Sequence, residues 1–157
     1  MMKKYIIFIS LILFLTHCGF SPIYIKNTNI NFSIENVNYK GDRDLNNFLK
    51  MNSNQYKNDK SDRKILIETT TKYEKIILTK NASSEVTNYK LIANVIFLIK
   101  STNKKINITE EGIINSMDDK FEEARKERAT KENFAKSITD KLISELIINK
   151  WFSNHTR

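Results

Sequence analysis

Few side chains in this sequence of 157 residues are equipped to make or break bonds. The single cysteine, Cys18, excludes a disulfide framework and any multi-cysteine metal site. The two histidines, His17 beside that cysteine and His155 near the C-terminus, leave little for acid–base or metal chemistry. Paired carboxylates occur at Glu110-Glu111 and Asp118-Asp119. Acid–base catalysis needs its two carboxyls on one substrate, whereas neighbours on a strand point to opposite faces and aspartates before a helix answer its positive end. There is no G-x-S-x-G elbow, and three glycines and one proline leave no glycine-rich phosphate loop. The expectation is a domain that is not an enzyme and takes no cofactor and no metal.

The formal charge is +8. Lysine carries most of it, interleaved with acids and without a block of like charges. Two readings stay open: a solvated surface of biased composition, or a weakly cationic surface facing an anionic partner. Nucleic acid is not the expected partner, because Tyr73, Tyr89 and Phe97 alternate as core residues where stacking platforms would be exposed beside a basic groove.

The most specific signal is at the start. Lys3 and Lys4 precede an apolar run, Tyr5 to Leu15, of 11 residues. A membrane-spanning helix needs ~20, while the apolar part of a secretory signal spans roughly 7–15. The run meets Leu15-Thr16-His17-Cys18, which resembles a bacterial lipobox, with His17 where a small residue is usual. The expected organisation is a lipoprotein signal peptide over 1–17, then a single domain over 18–157 whose N-terminal Cys18 is acylated. Each buried methylene contributes ~0.8 kcal/mol and one chain binds only marginally, so a multiply acylated cysteine gives stable anchoring to the membrane.

The following residues, Cys18-Gly19-Phe20-Ser21-Pro22-Ile23-Tyr24, resemble the C-G-F-x-P-[LI]-Y opening of the lipopolysaccharide-assembly lipoproteins, the LptE family, in its alphaproteobacterial branch. That resemblance implies an outer-membrane lipoprotein that is plug and assembly partner of the large β-barrel exporting lipopolysaccharide, with its domain on the periplasmic side or inside the lumen. It also implies direct contact with lipopolysaccharide and two helices packed on a four-stranded sheet. The alternative is an unrelated outer-membrane lipoprotein with a scaffold or binding role.

The elements can be read independently of that resemblance. Asn31 to Val37 alternates as a first strand that drifts into a loop at its end. Asp42 caps a helix of barely two turns carrying Leu45, Phe48 and Leu49, and Lys50 to Asp62 reads as loop. Ile65, Ile67, Thr69, Thr71 and Tyr73 share one face of a second strand extended by Ile76-Ile77-Leu78. After a turn at Lys80–Ser84, a third strand alternates at Tyr89, Leu91, Ala93, Val95, Phe97 and Ile99, with Ile92, Ile96 and Leu98 opposite. A fourth starts at Ile106 and Ile108.

Ser116 and Asp119 resemble a capping box, opening a long helix with a stripe at Phe134, Ala135, Ile138, Leu142 and Leu146. Its charged first half either projects into solvent or meets a polar partner. Trp151 and Phe152 are either a core anchor or an exposed contact. The fold class is α+β, a four-stranded, mostly antiparallel sheet packed with one short and one long C-terminal helix. For lipopolysaccharide, Lys80 and Lys90 at the hairpin of the second and third strands are the candidates, since lysine meets a lipid A phosphate as a point charge.

Overall fold

Alternation with period two builds the sheet, and the computed structural model shows which face it buries. The structure describes residues 32–61 and 63–154, with the side chains of all but Asn36, Val37 and residues 149–154. The signal segment 1–17, Cys18, the motif through Tyr24 and His155 lie outside the described residues, as do the side chains of Trp151 and Phe152.

Four strands, β1 (Ser33–Gly41), β2 (Lys64–Lys80), β3 (Val86–Ile99) and β4 (Lys104–Asn115), lie side by side in sequence order. Helix α1 (Arg43–Ser53) joins β1 to β2, a 3-10 turn at Asn54–Tyr56 follows it, and α2 (Lys120–Asn154) ends the described chain. The β2–β3 and β3–β4 pairs are antiparallel, whereas β1 runs parallel to β2. The fold class is as expected, an α+β sandwich on a mixed sheet.

One sheet face carries Ile34, Ile67, Leu91, Ala93, Val95, Phe97 and Ile114, all buried. Leu45 and Leu49 of α1 and Ala135, Ile138 and Leu142 of α2 close over it. Each fully buried large aliphatic contributes about 1.5–3 kcal/mol relative to exposure. The apolar stripe expected on α2 is therefore the core face. Of its alanines only Ala135 is buried, while Ala124 and Ala129 are exposed.

Three local readings need correction. The first strand continues past Val37 to Gly41, because a bulge between Asn36 and Asn38 restores the alternation and returns Tyr39 to register with Thr69. Helix α1 is 11 residues long, since Met51 and Asn52 extend it on its solvent side and Ser53 is buried. The capping box at Ser116 does not form. Asp119 is the cap, accepting from the Phe121 and Glu122 amides at 2.8 and 3.3 Å, while Ser116 is held by β3 through its own amide to Thr87 O at 2.8 Å. Strand β3, apolar on both faces, is central in the sheet, and its second face stays open, with Ile96 37% exposed. By contrast the cap of α1 forms as read, Asp42 Oδ1 accepting from Leu45 N at 2.8 Å.

Candidate functional site

At the far end of the sheet, three elements converge: the β2–β3 hairpin, the β4–α2 turn and the first turns of α2. Helix α2 places Glu123, Glu127 and Lys131 on the same stripe as Phe134, Ile138 and Leu142, at spacings of four, four, three, four and four. The core-facing stripe thus turns polar toward the N-terminus, and the sheet answers it. Lys75 Nζ donates to Glu123 Oε1 and to Glu127 Oε2, both at 2.9 Å, and lies 4.2 Å from the centroid of the Tyr89 ring. Tyr73 Oη donates to Glu127 Oε1 at 3.0 Å. Lys131 Nζ sits 3.9 Å over the Tyr73 ring and 3.5 Å from Asp42 Oδ1, tying α2 to the cap of α1.

Glu123 is the centre of this network and is only 5% exposed. Its second oxygen accepts from Lys120 Nζ and the Met117 amide at 3.0 Å each, and from Ser116 Oγ at 3.3 Å. The Lys75 hydrogen bond, followed by the Met117 amide, holds its pKa down at about 2 against an ordinary 4.5. Burial disfavours the charge on Lys75, but its hydrogen bonds to Glu123 and Glu127 prevail and raise its pKa. Burial, then the Glu127 charge, pushes the Tyr73 hydroxyl upward. A carboxylate held this low is a permanent anion and a poor proton acceptor at neutral pH. The cluster is an electrostatic clamp.

The two lysines singled out for ligand contact are not brought together. Lys80 is exposed at the end of β2, whereas Lys90 lies within β3, in register with Ile76 on one side and Ile113 on the other. Four residues along β2 separate Ile76 from Lys80, about 13 Å of strand. Lys90 Nζ is paired with Glu111 Oε2 at 2.6 Å. Its register neighbours Ile76 (45%) and Ile113 (61%) are exposed, as are Ile77, Leu78 and, on the first turn of α2, Phe121 (74%). Ile76-Ile77-Leu78 extend the strand as expected, and Ile76, in register with Lys90, lies on the open face that no helix covers.

The carboxylate pair Glu110-Glu111 is split by the pleat, with Glu111 on the open face. Glu110 meets Ser137 Oγ at 2.7 Å and Lys141 Nζ at 2.6 Å under α2. The open face itself is laced with ion pairs, Lys64–Glu35 at 2.9 Å and Lys100–Glu68 at 2.7 Å besides Lys90–Glu111. No described helix is long and apolar enough to cross a membrane.

No family model and no curated protein matches the chain. Its fold is similar to solved ones. The crystal structure of rare lipoprotein B from Shewanella oneidensis aligns with a TM-score of 0.56 at 10% identity, over 79% of this chain and 98% of that one. The solution structure of uncharacterized lipoprotein B from Nitrosomonas europaea aligns with a TM-score of 0.54 at 14% identity, over 82% and 94% of the respective chains. The likeness is one of fold.

Proposed function

We propose that this chain is a lipid-anchored outer-membrane lipoprotein of the LptE family, plug and assembly partner of the β-barrel that inserts lipopolysaccharide. The role is non-catalytic. The observation that carries the reading is a conjunction: a sandwich with the fold of two bacterial lipoproteins follows, in the same chain, a lipobox-like segment ending in Cys18 and the motif through Tyr24.

The surface supports it physically. A wide barrel has a polar interior, and the open sheet face offers ion-paired side chains between isolated aliphatics. Such a face packs against a polar wall without demanding a large apolar one. Acyl chains on Cys18 would hold the domain at the membrane while the sandwich enters the lumen.

The test is co-purification. Membranes solubilised in mild detergent and passed over the tagged full chain should yield one large β-barrel in about equal amount, and mass spectrometry should find Cys18 acylated and N-terminal. An unmodified thiol, or the absence of any barrel, overturns the proposal.

A further inference from the structure

The two edges of the sheet are built differently. The β1 edge carries a register shift between Asn36 and Asn38. Bulges of this kind blunt an edge against strand addition. The β4 edge has no such irregularity: its ladder with β3 runs unbroken from Lys104↔Ile99 to Asn115↔Asn88. Among the described residues β4 pairs with β3 alone. A groove of about 700 Å³ runs along its outer side, between Asn107 and Thr109 on the strand and Ser137, Asp140, Lys141 and Ser144 on α2.

Which amides face the groove follows from the ladder. Ser116 N donates to Thr87 O at 2.8 Å, continuing the same register one residue beyond Asn115↔Asn88. In antiparallel pairing the bonded positions alternate. The even-numbered residues of β4 therefore exchange hydrogen bonds with β3, and Lys105, Asn107, Thr109 and Glu111 present theirs outward. A row of such groups is a template for another strand.

The charge pattern of β4 says which strand. We infer that its outer edge takes a second copy of this chain, β4 against β4 and antiparallel, joining the two sheets into one. A two-fold axis through Ile108 sets Asn107 opposite Thr109 of the second copy and Lys105 opposite its Glu111, twice over. All four positions lie on the open face, in register with β3 residues 92 to 98. Lys105 is exposed and has no ion pair among the described residues, while the Glu111 side chain keeps half its surface exposed beside Lys90. Moving the axis to Asn107 sets Lys105 against Thr109, and moving it to Thr109 sets Lys105 against Ile113. Among the open-face positions only the register centred on Ile108 pairs opposite charges, and opposite charges across a ladder stabilise it.

Sedimentation equilibrium of the full chain in density-matched detergent tests this. The expected result is a concentration-dependent monomer–dimer equilibrium. Asn107→Pro removes an outward amide without touching the β3 ladder and should leave a folded monomer at every concentration. Lys105→Glu and Glu111→Lys should each raise the dimer dissociation constant about tenfold, two exposed pairs being turned from attraction to repulsion. The double variant should restore it. If Asn107→Pro fails to fold by circular dichroism, the charge-reversal set decides alone. A wild-type monomer at all concentrations, a dimer indifferent to a folded Asn107→Pro, or a double variant as weak as the singles overturns the inference. The dimer is a state of the free chain, exchanged for the single copy that the proposed function places in a lumen, and none of these outcomes depends on the barrel, so its failure and that of the proposed function are separable.

Discussion

Lys75 on β2 and Glu123 on α2 meet at 2.9 Å across the layer boundary, where the apolar stripe of the helix has already given way to charge. A buried ion pair repays its desolvation only when every remaining donor and acceptor is matched. Here they are. Glu123 accepts from Lys75, Lys120, Ser116 and the Met117 amide, and Lys75 donates to Glu127 as well. The charged half of α2 thus does not project into solvent. It packs on its own sheet.

Removing one partner should be far worse than removing a surface acid. Glu123→Ala strands the half-buried Lys75 ammonium and the Met117 amide, for an expected loss of about 2–3 kcal/mol. Its neighbour Glu122 makes an i,i+3 pair with Arg125 in the open, and Glu122→Ala should change stability by less than about 0.5 kcal/mol. Urea denaturation of the two variants measures the contrast, and equal losses would contradict the clamp.

The same residue sets an acid limit. Its folded pKa, about 2, lies below the ordinary 4.5 of an unfolded carboxylate. The stabilisation is therefore complete above about pH 4.5 and is lost as the pH falls toward 2. Lys75 lies on the opposite limb: its pKa is raised above 10.5, so its contribution is whole below that value and disappears only in strong alkali. Thermal midpoints between pH 7 and 2.5 should fall more steeply for the wild type than for Glu123→Gln, the other carboxylates cancelling in the comparison. Parallel curves would refute the assignment.

Gly41 ends β1 at φ +100°, a conformation that side chains rarely adopt, and a Cβ there would stand 1.8 Å from Thr71 O. The parallel partner strand and the turn into the Asp42 cap leave it no room to move. Gly41→Ala should therefore destabilise by about 3 kcal/mol or more. Gly112→Ala meets the flexible Phe134 ring at 3.0 Å instead, and about 1 kcal/mol is expected. Chemical denaturation ranks the two, and the reverse order would show that the β1–α1 junction is not constrained as described.

Much of this architecture is legible in the sequence because it is periodic. The alternation from Leu91 to Ile99 and the helical spacing of Leu45, Phe48 and Leu49 each name a buried face, and those faces meet in the core. The parallel pairing of β1 has no local signal, since it joins residues about thirty positions apart across a helix. The extension to Gly41 depends on a bulge, and bulges leave little trace in composition. Glu123 is hidden for a different reason. It sits in a run of charges, and only its place on the Phe134–Ile138–Leu142 stripe marks it as inward. Following that stripe past the last apolar residue would have found it. The exposure of Ile76 escaped because hydrophobicity predicts a strand but not which of its faces a helix covers.

Lys80 and Lys90 should differ as ligands for an anionic glycolipid. Lys80 is exposed at the hairpin end with its ammonium open to solvent, while Lys90 is engaged by Glu111 at 2.6 Å and is bracketed by Ile76 and Ile113. A phosphate approaching Lys90 must compete with that carboxylate, although the flanking isoleucines offer apolar contact to an acyl chain. Exposed lysine–phosphate contacts are screened and contribute about 1 kcal/mol, about fivefold in affinity. Lys80→Ala should weaken binding of purified lipopolysaccharide by about that factor, and less at high salt. Lys90→Ala alone should do less. Glu111→Gln, which frees Lys90, should strengthen binding, a change that loss of a merely structural ion pair would not produce. Affinities unchanged across these variants at several salt concentrations would remove both lysines from the site.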